Sequence, residues 1–353
     1  MENGLAELKV LKTEHGKIRT PALIPVVATS YGIWDLWIDE DYPKPWEKAS
    51  SVILSLYHIL QYKMRREEVF ERGIHRVLKT KKPVFLDSGG FQYMKKGVEL
   101  EPLEVLSYQK RSGCDVGITF DYPILPNLSE KERLRRLEKS IDAANLMLQN
   151  NEKMKLYGAI HGSNSLEIKS YMKKLSKGFS GYGIGSLVPR KSHYEHLTNL
   201  IYSTRLSTQK PLHCFGITGF PALFALSYLG VDTFDSWTYV VAAAYKEYVH
   251  PEKLNRLKDL KNLTKLPECR CKVCEEYGLK EMIQPTSKSE VILALHNLNV
   301  FLYEMERVRE SIGEGSLSTY IEKRSKGGNR NIKVAFKFAK KMLKTKSFKL
   351  KKR

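Results

Sequence analysis

The sequence predicts an α/β fold, one closed (β/α)8 (TIM) barrel. Two observations carry this: short β-rich runs alternate with longer amphipathic segments, and polar, glycine-bearing residues gather where those runs end. The runs cover residues 22–27, 51–57, 83–86, 115–120, 155–160, 182–186, 212–217 and 231–234. Apolar residues at helical spacing mark 65–79, 129–150, 166–177, 193–208 and 221–229 between them. Eight such strands favour closure over a doubly wound open sheet, and 353 residues accommodate one barrel with additions.

Hydrophobic residues make up 42% and charged residues 28%, an ordinary globular balance. The net charge of +20 is unusual and favours a polyanionic partner. Residues 321–353 hold fourteen Lys or Arg against the single acid Glu322, so +13 of the +20 sits at one end. Within that end, Ile332, Phe336, Ala339 and Leu343 fall on one face of a helix over 331–343, with lysines between them. Residues 344–353 are expected to be a flexible basic end whose phosphate contacts give affinity without sequence choice. The expected organisation is a barrel domain over 1–320 and a basic extension over 321–353. The first twenty residues scatter charge through any apolar run, and no segment reaches membrane-spanning length, so a cytoplasmic location is the expectation.

Chemistry in a barrel belongs at the carboxyl ends of its strands. Those ends carry Asp87-Ser88-Gly89-Gly90-Phe91-Gln92, Asp121-Tyr122-Pro123, His161-Gly162-Ser163-Asn164, Gly185-Ser186, Phe215-Gly216-Ile217-Thr218-Gly219 and Asp235-Ser236. A lone strand-end Asp often does no more than cap a helix. Asp87, Asp121 and Asp235 together, beside paired glycines, point to one shared pocket where backbone amides can approach a flat ligand. Crowded carboxylates repel, so one holds a proton and acts as general acid while another stays ionised as nucleophile or base.

Three of the five cysteines, Cys269, Cys271 and Cys274, fall within six residues, a pattern of metal ligands rather than of disulfides. His296 follows in a helical run over 289–306 and completes a Cys3His set. Four protein ligands saturate a zinc ion, so the site is expected to be structural, in a subdomain over about 262–303. A redox thiol cluster and an iron–sulfur site are the alternatives. Cys114 and Cys214 stand alone beside strands and read as small buried hydrophobes.

Taken in this order, Phe85-Leu86-Asp87-Ser88-Gly89-Gly90-Phe91-Gln92, Val231-Asp232-Thr233-Phe234-Asp235-Ser236 and the three thiols with Leu295-His296-Asn297-Leu298 resemble the tRNA-guanine transglycosylase family. The likeness runs from about Thr20 to Tyr303. It implies exchange of a guanine in a polynucleotide for a free 7-deazaguanine base (preQ0- or preQ1-like). Asp235 would be the nucleophile of a covalent aspartyl–ribosyl intermediate and Asp87 the general acid/base. Asp121, Gln92 and Ser88 would read the base, Phe91 and Phe215 would stack on it, and the Gly185-Ser186 and Phe215-Gly216 backbones would border it. His161-Gly162 stands where bacterial members carry Gln-Gly, which implies altered recognition at that edge.

Ser236-Trp237-Thr238-Tyr239 lacks the Pro-Thr-Arg continuation of queuine-type enzymes, and Ile184-Gly185-Ser186-Leu187-Val188-Pro189 is closer to the archaeosine-type branch. That branch carries C-terminal RNA-binding modules ending in a PUA domain, for which this chain is expected to be too short. A homodimer through the zinc-bearing region, or a separate RNA-binding subunit, follows as an expectation. Transglycosylases that insert 7-deazaguanines into DNA are the alternative. A non-catalytic nucleic-acid-binding paralogue is a third reading, opposed by the presence of all three carboxylates.

Overall fold

Each of the eight β-rich runs forms a strand of one parallel sheet in the computed structural model, which describes residues 2–27, 37, 43–97, 100–190, 192–217 and 219–350. Thr218 of the strand-end pattern and the terminal 351–353 lie outside the described residues. A hairpin of β1 (Lys9–Thr13) and β2 (Gly16–Thr20) comes first. The barrel strands are β3 (Ala22–Pro25), β4 (Val52–Ser55), β5 (Val84–Asp87), β6 (Val116–Ile118), β7 (Lys155–Ile160), β8 (Gly181–Ile184), β9 (Leu212–Cys214) and β10 (Thr233–Ser236). Their order is β3-β10-β9-β8-β7-β6-β5-β4. The ring closes where Val26 bridges Ile53 and the Val27 N–H donates to the Ile53 carbonyl at 2.9 Å. The predicted barrel is therefore the observed one.

Two apolar layers fill it. Inside the ring lie Ile24, Ile53, Phe85, Val116, Ile118, Tyr157 and Ala159, and Ile18 from the hairpin joins them and plugs the floor. At that floor Asp115 clamps the hairpin to β6. His15, in the hairpin turn, donates its backbone N–H to Oδ1 at 3.0 Å and places Nδ1 3.1 Å away, while His75 Nε2 lies 2.9 Å from Oδ2. Burial opposes the Asp115 charge, but hydrogen bonds from His75, Val84 and His15 outweigh it and hold the carboxyl well below the usual range. The two imidazoles stack 3.6 Å apart at 17°. Nearly parallel stacked rings cannot both aim a lone pair at one ion, so this cluster is a structural clamp.

The outer helices start where the sequence offers caps. Ser129 Oγ accepts from the Glu132 N–H at 3.2 Å to open Glu130–Gln149, and Asn164 Oδ1 accepts from Leu166 and Glu167 to open Ser165–Lys174. The helix expected over 65–79 is instead two, Lys63–Arg72 and Ile74–Val77, because Gly73 at φ +83 breaks it. Among the described residues no helix is long and apolar enough to cross a membrane.

The basic end is helical well past 343: Arg330–Leu350 is one helix, preceded by Leu317–Ser325. No glycine, proline or acidic residue interrupts it. Ile332, Ala335, Phe336, Ala339 and Leu343 are buried against the helices Tyr194–Ser207 and Phe220–Tyr228. Phe336 packs edge-on to Tyr228 with ring centroids 4.9 Å apart. Phe336→Ala is expected to destabilise the protein by about 3–5 kcal/mol, read from its urea midpoint. A loss below about 1 kcal/mol would mean that this helix is not part of the cooperative unit.

Candidate active site

Because the strands are parallel and closed, their carboxyl ends converge on one cavity of about 520 Å³. Asp87 ends β5, Asp121 follows β6, His161 follows β7, Gly185 and Ser186 follow β8, Phe215 and Gly216 follow β9, and Asp235 sits within β10. All of them line the cavity, together with Phe91 and Gln92 from the helix Gly90–Lys96. Ser88 and Gly162 do not. Ser88 is fully buried behind the wall, with Oγ donating to Asp121 Oδ1 at 3.2 Å. Gly162 is packed under Ile168, where a Cβ would fall 2.8 Å from its Cδ1.

The three carboxylates sit in unequal surroundings. Asp87 accepts from the Gly89 N–H at 3.1 Å, with a further pull from the Ser88 amide. Its carboxyl is pushed up to about 7, first by burial and then by the charges of Asp121 and Asp235. Some of its surface still faces the cavity, so the side chain is crowded by protein without being sealed from a ligand. Asp235 is better supported: Oδ1 accepts from the Gly216 N–H at 2.7 Å and lies 3.3 Å from His213 Nε2. Gly216 makes this possible, since its φ of +67 and a Cβ position 2.5 Å from Val188 exclude a side chain.

Asp121 holds the opposite side of the cavity. Its Oδ2 lies 2.9 Å from His161 Nε2, at ion-pair distance but outside hydrogen-bond alignment. A carboxylate oxygen so close calls for a proton on that nitrogen, and His161 Nδ1 meets Ser186 Oγ at 2.9 Å. Ser186 Oγ also accepts from the Ile124 N–H at 2.8 Å, which fixes the loop after β8 at a residue with φ +60. Gly90 lets Asp121 in, because a Cβ there would stand 2.5 Å from both its carbonyl and carboxylate oxygens. Gln92 Oε1 is buried and takes no hydrogen bond from any described residue.

Sequence reasoning missed three cavity neighbours. His213 lies fully buried beneath Asp235. It precedes Phe215 by two residues, so strand alternation within the run over 212–217 would have placed both on the inner face. Trp237 and His58 also line the cavity. Burial, and then Arg65, disfavour the charged form of His58. No strand-end pattern marks His58, because it comes from the helix Leu56–Gln61.

Away from the cavity, Cys269, Cys271, Cys274 and His296 come together as a group that could hold a metal ion. The sulfurs lie 3.8, 3.6 and 3.1 Å from His296 Nδ1, spacings that fit ligands sharing one tetrahedral centre. His296 Nε2 is 3.0 Å from the Val249 carbonyl, which fixes the tautomer and turns the Nδ1 lone pair toward the thiols. Tyr248 stacks on the imidazole at 3.8 Å. Neighbouring Asn297 ties down the same loop, accepting from the Val249 N–H at 2.8 Å and donating to the Glu247 carbonyl at 3.0 Å.

A parallel barrel thus carries three carboxylates at its mouth and a Cys3His cluster apart from it, and comparison with known proteins gives the class. The chain belongs to the queuine tRNA-ribosyltransferase family, whose profile matches residues 3–329. It is similar to the tRNA-guanine(15) transglycosylases of Methanococcus vannielii (34% identical over 336 residues, 91% of this chain and 51% of the relative) and Methanocaldococcus jannaschii (32% over 345, 91% and 50%). The enzyme of the same name from Methanothermobacter thermautotrophicus is 31% identical over 338 residues, 93% of this chain and 50% of the relative. The chain thus spans about half the length of these curated relatives. The expected family, on its archaeosine-type side, is the one found.

The raised Asp87 carboxyl gives a stability test with a fixed sign. A buried acid with a raised pKa loses stability as pH climbs from its ordinary value near 3.8 to about 7, because only the unfolded chain ionises freely. Asp87→Asn removes that penalty. Its gain over the parent should be absent below about pH 4, grow up to pH 7 and then level off at roughly 2–4 kcal/mol. A gain independent of pH in denaturant titrations would contradict the raised carboxyl.

Proposed function

We propose that this protein exchanges guanine in tRNA for a free 7-deazaguanine base through a covalent aspartyl–ribosyl intermediate. The observation that carries the reading is the unequal pair at the barrel mouth. Asp235 has Oδ1 held by donors and Oδ2 without a protein donor among the described residues, while Asp87 titrates near neutrality. In the first half-reaction Asp235 Oδ2 bonds to the anomeric carbon as the C1′–N9 bond breaks. The departing guanine takes those electrons and the proton held by Asp87. In the second half the incoming base gives its N9 proton to Asp87, its nitrogen bonds to C1′, and the ester electrons return to Asp235. Two displacements on one carbon retain configuration, as in retaining glycoside hydrolysis.

The other cavity residues suit a purine-like ligand. Asp121 and the unpartnered Gln92 Oε1 are acceptors for ring and exocyclic N–H groups, and the rings of Phe91 and Phe215 supply stacking surfaces. The His161–Ser186 pair takes the place of the bacterial glutamine at the remaining edge. For the polynucleotide, the helix Arg330–Leu350 turns Lys333, Lys337 and Lys344 outward, a cationic stripe suited to phosphates. The tRNA choice follows the relatives, which are named for tRNA. The Cys3His group is proposed as a structural zinc site that leaves no position for substrate.

The primary test offers radiolabelled guanine to the protein with bulk tRNA or double-stranded DNA in parallel. Label should enter tRNA, and Asp235→Ala should reduce incorporation about a thousandfold or more and abolish the covalent adduct on denaturing gels. Label in DNA alone would move the substrate and keep the chemistry. Label in neither would favour a non-catalytic nucleic-acid-binding subunit. For the metal site, Cys271→Ser should lower bound zinc, measured by elemental analysis, together with the melting temperature. Unchanged zinc content would refute the ligand set.

A further inference from the structure

His213 is a buried titratable group that enters the chemistry above only through its contact with Asp235 Oδ1. It is fully enclosed within β9, with Phe85 stacked at 6.2 Å and Phe215 edge-on at 4.5 Å. Both ring nitrogens are committed: Nδ1 lies 2.9 Å from Thr233 Oγ1 and Nε2 lies 3.3 Å from Asp235 Oδ1. A carboxylate oxygen only accepts, so Nε2 must carry its proton toward Asp235, and in the neutral ring Nδ1 then accepts from the Thr233 hydroxyl. A histidine placed inside a barrel merely to fill space would be a poor substitute for an aliphatic side chain, since its two polar atoms need partners. Here one partner is the proposed nucleophile.

We propose that His213 is a positioning residue for Asp235, an inference that rests on the transglycosylase reading. With the Gly216 N–H it forms a two-donor cradle around Oδ1. This cradle has two consequences. It fixes the rotation of the carboxylate, so Oδ2 alone meets the anomeric carbon. It also stabilises the carboxylate more than the ester, because charge on Oδ1 falls when Oδ2 bonds to C1′. The donor pair therefore helps Asp235 to leave in the second half-reaction, and the His213 bond shortens as charge returns to Oδ1. Thr233, two residues before Asp235 on the same strand, holds the imidazole in the orientation that this requires.

Two isosteric variants separate this role from simple packing. His213→Gln keeps a terminal nitrogen donor near the Nε2 position, whereas His213→Asn keeps only a polar group near Nδ1, facing Thr233. The expected result is kcat for guanine exchange down roughly tenfold to a hundredfold in His213→Asn, with a small change in KM for the free base. The covalent adduct should persist longer in that variant, and His213→Gln should restore kcat to within a few fold. Equal kcat for the Asn and Gln variants, or a loss in both that follows their melting temperatures, would overturn the proposal and leave His213 a packing residue. If the parent protein itself exchanges no guanine, the functional reading fails and takes this role with it. An active parent beside a fully active His213→Asn fails the role alone.

Discussion

Closure of the sheet between β3 and β4 is the constraint on which the rest of the structure depends. It rests on one bridge, Val26 to Ile53, and on the full register of β10 against β3 from Thr233–Ala22 to Ser236–Pro25. An open sheet would spread its carboxyl ends along an edge. The closed ring instead brings β5 and β10, far apart in sequence, to the same cavity. Asp87 and Asp235 feel each other's charge only because of that closure. The hairpin matters for the same reason: Ile18 and the Asp115 clamp close the floor beneath the cavity.

Burial then sets the surroundings of each carboxylate. A buried carboxyl group depends on the donors that reach it. Asp235 finds them in Gly216 and His213, and Asp121 finds them in Ser88 with the His161 ring beside it. Asp87 meets the Gly89 and Ser88 amides, yet burial and the neighbouring carboxylates still push it up to about 7. Three chemically identical side chains thus sit in three different sets of neighbours. The glycines contribute through space: Gly90 admits Asp121, and Gly216 both admits Val188 and supplies the amide that anchors Asp235.

The sequence made the barrel legible because its strands and helices obey separate periods and its strand ends carry unusual clusters of Asp and Gly. Most of the candidate site was legible for the same reason: ten of the twelve residues expected in or around the cavity line it, with only Ser88 and Gly162 set behind the wall. Those two differ because adjacency in a motif does not set direction. Ser88 follows Asp87 but turns away from the cavity toward Asp121, and Gly162 follows His161 but sits under a helix. His213 was hidden by the opposite problem, lying mid-strand where the eye expects core. The hairpin floor was illegible because its function depends on Asp115, about a hundred residues away, and no local pattern records a contact of that span.

The C-terminal helix shows how one segment answers two demands. Its apolar face, from Ile332 to Leu343, is consumed in packing against two barrel helices, so it is not free to serve as a docking surface for another protein. Most of what it leaves outside up to residue 344 is lysine, beside Val334, and Lys340 and Lys341 are already drawn onto Glu322 and Glu195. Those pairs fix the helix in place at little energetic gain, as exposed ion pairs do. Lys333, Lys337 and Lys344 stand exposed on the same helix. A charge run that looks like a solubilising tail in sequence is, as far as Lys344, the exposed face of a helix packed on the barrel that carries the cavity.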